Sequence, residues 1–461
     1  MRMLIKCGPV VVAGALLTAC GGGSGPNACS STDSGAAPLA FTTTSCPAGT
    51  QGQAYACTLA ATGGKTPYTF SVVNSSASAP LPEGMALDGS TGVVSSALVG
   101  GQGSYGVEFQ VADSACHTAT TTLTFAIAGN NRFLASIFPL NSIFHHRVDG
   151  LQVDLSPAAA IYGAYQSATI KPFFGGAAYQ NLPNGIPAIE VPYNQPDVPV
   201  ATTLYQSYYT SGPIPPYAPV EGTSVSEAAG GDGHVLVYVE AGGGSPPALY
   251  EMWQGQYLGA KGWTDSSNAH WTDVTSNALT PQGNGTTDAA GLPVAPLLAN
   301  ADEVIGTGTP SAPNGVVQHP IRFTVNHMLN YWVWPATETA GVGYCNDQKG
   351  NSLATENMIS QSSPPGSCTM TGPAGEIYRL KASVTDPACA SASPQASIII
   401  TGLRQYGIIL ADNGGSGGLI GTPDSRWNDD DLACLRALTL GDFEPVDVSP
   451  LMVDPDSGAT P

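Results

Sequence analysis

Tyr105-Gly106-Val107-Glu108-Phe109-Gln110-Val111 sets an apolar residue at every second position, and Thr122-Leu123-Thr124-Phe125-Ala126-Ile127 repeats the pattern shortly after it. Successive side chains of an extended chain point to opposite faces, so each segment reads as a strand with one face for a core and one for water. Upstream, Tyr55-Ala56-Cys57-Thr58-Leu59 and Tyr68-Thr69-Phe70-Ser71-Val72 carry the same period between turn signals. Several short strands at this spacing indicate a β-sandwich over residues 38–128.

Within that span Gly63-Gly64-Lys65-Thr66-Pro67-Tyr68-Thr69-Phe70, Leu81-Pro82-Glu83-Gly84-Met85-Ala86-Leu87-Asp88, Ser90-Thr91-Gly92-Val93-Val94, Gly103-Ser104-Tyr105 and Val111-Ala112-Asp113 follow in order. The run resembles the immunoglobulin-like, cadherin-like repeat of bacterial surface proteins, apart from Ser95-Ser96 where that family usually has a glycine. The resemblance implies a spacer or adhesion module, with Leu81 and Leu87 in the core and Thr91-Gly92 joining a hairpin. Some members of the family bind calcium or sugars, but Asp88 and Asp113 are isolated carboxylates and not a ligand cluster.

Before the sandwich, Arg2 and Lys6 precede the apolar run Val10-Val11-Val12-Ala13-Gly14-Ala15-Leu16-Leu17, which is too short for a permanent span. It ends in Leu17-Thr18-Ala19-Cys20, which resembles the bacterial lipobox. The expectation is a signal peptide over 1–19, lipidation of Cys20, and export to a bacterial membrane that the acyl chains anchor. Residues 20–37 are Gly/Ser-rich and read as a flexible tether. Without Cys7 and Cys20, eight cysteines remain, an even number that suits disulfides in an oxidising compartment. Cys46 with Cys57, and Cys345 with Cys368, close short local loops and are the first pairings expected.

The formal net charge of −20 at pH 7 disfavours a nucleic-acid partner, because an acidic surface repels phosphate. Hydrophobic residues make up 42% of the chain, enough for true cores and not a disordered stalk.

Residues 131–447 read as a larger β-sandwich or jelly-roll-like domain with a few helices, followed by a disordered tail over 448–461. Its strands are expected at His234–Glu240, Leu249–Trp253, His319–Val325, Tyr331–Trp334, Ile377–Val384 and Gly407–Ala411. Helices are expected from Ser156-Pro157 to Tyr165 and over Asn428–Leu438, where Asn428-Asp429-Asp430-Asp431 suits the positive end. Gly231-Asp232-Gly233-His234, Leu249-Tyr250-Glu251-Met252-Trp253, Asp288-Ala289-Ala290-Gly291-Leu292-Pro293, His319-Pro320-Ile321-Arg322-Phe323-Thr324 and Tyr406-Gly407-Ile408-Ile409-Leu410-Ala411-Asp412-Asn413-Gly414 resemble a widespread group of secreted bacterial and fungal proteins. That resemblance supplies a family without a reaction, so it transfers no catalytic residue.

Chemistry is therefore sought in the residues. In the hairpin from His234 to Trp253, alternation puts His234, Leu236, Tyr238 and Glu240 on one face, and Leu249, Glu251 and Trp253 on one face of the partner strand. If the register makes those faces one, a histidine, carboxylates and an indole converge, as a glycan-cleaving sandwich requires. The candidate catalytic residues are Glu251, first as acid or nucleophile, with Asp232, His234 and Asp288; Trp253 and Tyr238 are candidate sugar-binding residues. Asp302, Glu303 and Asp412 read as turn or cap formers, and His319 and Arg322 fall on opposite faces of their strand. No metal-ligand or phosphate-loop signature is present, so no metal or cofactor is implied. The sequence favours a lipid-anchored surface protein that binds, and as a carbohydrate-active hydrolase cleaves, a polysaccharide. The alternative is a non-catalytic adhesion or structural surface protein.

Overall fold

The computed structural model describes residues 37–461 except 76–77, 157–158, 160–162, 180–181, 206, 223–231, 284–285, 331, 341–344, 347–366 and 369–371. The proposed leader, Cys20 and nearly all of the tether lie outside the described residues. The molecule is mainly β with few helices. No helix among the described residues is long and apolar enough to cross a membrane.

The alternating segments form an immunoglobulin-like sandwich. Gly103–Ala112 and Thr118–Ala128 pair antiparallel at the centre of a four-stranded sheet that Gly49–Thr50 and Thr69–Val72 complete. A three-stranded sheet of Tyr55–Thr58, Val93–Ser96 and Ala86–Asp88 faces it. The odd positions of Gly103–Ala112 bury Val107, Phe109 and Val111 against Val94, Phe125 and Ile127. Each such side chain contributes about 1.5–3 kcal/mol, so the period of two largely accounts for the module. Leu81 and Leu87 pack on this core, and Thr91-Gly92 lies in the turn between two paired strands. The Cys46–Cys57 disulfide ties the first loop to the sheet. Asp88 and Asp113 cap turns, Asp88 accepting from Ser90 and Asp113 from Lys65, Ala115 and His117.

The larger region stacks three sheets. A six-stranded sheet runs in the order Lys171–Phe173, Gly418–Ile420, Ile321–Val325, Ile408–Asn413, Ile377–Leu380 and Phe443–Pro445. It is mixed, with parallel pairing of the first two strands and of Ile321–Val325 with Ile408–Asn413. A second sheet contains Ala188–Val191, Val235–Val239, Ala248–Trp253 and Ser267–Trp271, and a third is built around Val198–Thr202 and Trp263–Asp265. Val235–Val239 is apolar throughout because both its faces are covered. Leu236 and Tyr238 join the main core, while Val235, Val237 and Val239 join a smaller core with Val200 and Trp263.

Several expectations are corrected. Pro394–Gln405, to which the sequence reading assigns no element, is a helix of 12 residues, with proline in its first turn and Ile399, Ile400 and Leu403 buried. Of the helix expected from Ser156, only the single turn Gly163–Gln166 appears among the described residues. Asn428 does cap a helix, accepting from Asp430 and Asp431, but the α-helix stops at Leu432 and continues as a 3-10 turn over Ala433–Ala437. Trp332 forms an isolated bridge with Ala374 where a strand was expected. Residues 448–461 are not disordered: Ser457 and Ala459 form bridges with Ala278 and Ser142, and the Trp334 indole donates to the Ser457 carbonyl. Cys389 and Cys434 form a disulfide, and Cys345 and Cys368 are register partners in a short ladder.

The two β regions meet through hydrogen bonds. Arg426 donates to both oxygens of Asp424, to Asp302 and to the Gly129 carbonyl. Asp424 accepts from the Gly129 amide, and Asp302 from the Asn131 amide. Gln51 of the sandwich donates to the Ala188 carbonyl.

Candidate functional site

The hairpin register is the first determinant of the site. Leu236 faces Glu251 and Tyr238 faces Leu249, so the two alternating faces are one. Yet that face points mostly into the core. Tyr238 is buried and stacks on Phe133 with ring centroids 5.1 Å apart, which removes it from any open surface. Glu251 is 0% exposed and receives the backbone N–H groups of Val294 and Ala295 and the Thr287 hydroxyl. Burial pushes its carboxyl up to about 7 against these donors. With its oxygens occupied, Glu251 anchors the loop that carries Thr287 and Asp288; it is a positioning residue and not the acid or nucleophile expected from sequence.

His234, at the mouth of the same hairpin, is also committed. One ring nitrogen lies 2.6 Å from Glu221 Oε2 and the other 3.1 Å from the Thr287 carbonyl. Both partners are acceptors, so both nitrogens carry protons. Burial lowers the imidazole pKa, but the Glu221 carboxylate more than offsets this and raises it to about 9. His234 is therefore a fixed cation, unsuited to act as a base at neutral pH.

A shared arginine supplies the reactive asymmetry. Arg322 donates through Nε to Asp288 at 2.9 Å and through Nη2 to Asp412 at 2.9 Å. Asp288 is buried and also accepts from the Ala290 and Leu292 amides, and burial pushes its carboxyl up against these donors and Arg322. Asp412 has, besides Arg322, its neighbour's Asn413 amide, and its side chain remains 20% exposed. Burial, with Asp288 and Asp232 nearby, raises its carboxyl to about 6 despite Arg322. A bulge creates this contact. Phe323 pairs with Leu410 but Thr324 pairs with Asp412, skipping Ala411, which brings Asp412 onto the face of Arg322 and Thr324.

These groups line a two-lobed cleft. One lobe, about 340 Å³, is lined by Asp232, His234, Trp253, Asp288, Asp412 and Tyr205, among others. The other, about 530 Å³, includes Glu221, Arg322 and again Asp232 and Asp412. The two carboxyls thus stand at the junction, Asp232 exposed and Asp412 half-covered. Half-buried Trp253 and exposed Tyr205 approach with centroids 6.0 Å apart, forming an aromatic wall. Of the sequence candidates, Asp232, His234, Asp288 and Trp253 meet at this cleft; Glu251 and Tyr238 do not line it. Sequence reasoning gave Asp412 and Arg322 no role here and passed over Glu221 and Tyr205. Alternation could not find Asp412, because the bulge breaks the period. Among the described residues no cluster of His, Cys, Asp or Glu is arranged to hold a metal ion.

Comparison with known proteins bears on the first module. Residues 37–128 match the family described as "Putative Ig domain". A solved chimeric titin Z1Z2, functionalized with a KLER exogenous peptide from decorin, is 17% identical over 21% of this chain and 100% of its own, with a TM-score of 0.16. A score that low carries no argument. No curated protein matches the chain.

Proposed function

We propose that the chain is an exported bacterial lipoprotein, acylated at Cys20, whose larger β region binds and hydrolyses a polysaccharide in the two-lobed cleft. The observation that carries the reading is the pairing of two unequal carboxyls, Asp412 and Asp232, beside the Tyr205–Trp253 wall. Asp412, half-covered and raised to about 6, suits the acid, and Asp232, open to solvent beside it, suits the base. Asp412, protonated, gives its proton to the glycosidic oxygen, and Arg322 stabilises the carboxylate left behind. Asp232 takes the proton of the attacking water as it adds to the anomeric carbon. The aromatic wall stacks on a sugar ring, and the Cys46–Cys57 and Cys389–Cys434 disulfides suit an oxidising, exported location.

Reducing-end release over a panel of polysaccharides tests the activity. Release by the wild type, lost in Asp232→Asn and Asp412→Asn, is the expected result. Binding without release from any polymer would favour the adhesion reading and remove the hydrolase. Palmitate labelling in a bacterial host, abolished by Cys20→Ala, is the expected sign of the anchor; labelling that survives the substitution contradicts it.

A further inference from the structure

The larger lobe of the cleft carries a charge that the reading above does not use. Lys171 lies on the edge strand of the six-stranded sheet, and Arg436 lies in the 3-10 turn packed against that strand. Both line the lobe. Every other arginine among the described residues is paired with a carboxylate: Arg132, Arg147, Arg322, Arg379, Arg404 and Arg426. Among the described residues neither Lys171 nor Arg436 has such a pair.

The acids of the same lobe do not fill that role. Glu221 is held by His234, and Asp412 shares Arg322 with Asp288. Arg322 balances Asp288, so when Asp412 holds its proton, as the acid role requires, only Asp232 is left against two cations and the lobe carries a net positive charge in a chain of net charge −20. A molecule so acidic repels polyanions in general, and an acidic ligand gains purchase only where cations are concentrated. Phe173, 36% exposed, adds an apolar ring to the same wall. The combination of an aromatic face and unpaired cations fits a ring that carries a carboxylate, which the guanidinium fork of Arg436 matches in shape.

We infer, on the reading of the cleft as a glycan site, that the larger lobe takes a uronate unit of an acidic polysaccharide, with Lys171 and Arg436 receiving its carboxylate. Because Asp412 and Asp232 border both lobes, that unit sits beside the bond to be cleaved. The specificity is for a charged residue at one subsite, while the Tyr205–Trp253 lobe takes the neighbouring sugar.

Calorimetric titration of the full chain as Asp412→Asn, which blocks turnover, tests this with galacturonate, mannuronate and glucuronate oligomers, a neutral galactan oligomer and a sulfated galactan oligomer. At least one uronate oligomer is expected to bind best, and added salt is expected to weaken it. Adding Lys171→Ala and Arg436→Ala is expected to weaken that binding about tenfold or more, while Lys261→Ala, an exposed cation away from the cleft, leaves it unchanged. Uronate binding indifferent to the two substitutions overturns the inference, as does a preference for the neutral or the sulfated oligomer; either leaves the glycan reading standing. Absence of binding to every oligomer overturns both.

Discussion

Two arginines, each held by two aspartates, do different work in two places. At the junction of the β regions, Arg426 grips Asp424 and Asp302, whose side chains are 0% and 6% exposed and which also accept the backbone amides of Gly129 and Asn131. In the cleft, Arg322 grips Asp288 and reaches Asp412 with one nitrogen, as Arg426 reaches Asp302, but Asp412 stays 20% exposed whereas Asp302 has Arg132 as a second cation. The first network is saturated and holds two folded parts together. In the second, burial and the carboxylates of Asp288 and Asp232 raise Asp412 to about 6 despite Arg322, where an acid is useful near neutral pH. The same residue types thus make a clamp or a proton donor according to whether a further cation or further carboxylates stand beside the second aspartate.

The largest consequence of this contrast is for catalysis. Asp412→Asn keeps the shape but has no proton to give, so glycan cleavage is expected to fall by about 10²–10⁴-fold, read from initial rates of reducing-end release. An unchanged rate would make Asp412 as inert as Asp424. Next in size is the loss of the shared cation: Arg322→Leu leaves Asp288 buried without its partner and is expected to cost about 3–5 kcal/mol, measured from denaturant midpoints. Arg426→Leu acts at a quarter-exposed side chain, so its cost is expected to be smaller, about 1–3 kcal/mol. Its specific mark should be faster proteolysis around residues 129–131, which a stability change spread over the whole chain would not single out.

A further effect is a slope with pH. His234 has a folded-state pKa of about 9 against an ordinary 6.5, so the stabilisation from its pair with Glu221 is complete below pH 6.5 and is lost as pH rises toward 9. Denaturation at pH 6 and pH 9.5 should show the wild type losing stability over that window and His234→Asn losing that slope. A slope that survives the substitution would assign it to another group.

The immunoglobulin-like module was legible because its strands are buried on one side only: Gly103–Ala112 alternates buried and half-buried positions along its whole length. The larger region hid more, since a strand covered on both faces has no alternation to read, and the β-branched run Ile398-Ile399-Ile400-Thr401 disguised the helix Pro394–Gln405. The site was half legible. The hairpin register that makes Leu236 and Glu251 neighbours follows from alternation, but which end of that face opens to solvent depends on the loop from Thr286 to Ala295, far off in sequence. Asp412 looked like a turn residue because the one-residue bulge that turns it toward Arg322 leaves no mark in the residue pattern.

The claim that a shared arginine leaves one aspartate poised as an acid is tested most directly by carboxyl carbon NMR of the protein across pH, with Asp412→Asn to assign the signal. The account predicts one aspartate carboxyl titrating near 6 that vanishes in the variant. An Asp412 signal that titrates at or below the ordinary value of 3.8 would contradict it.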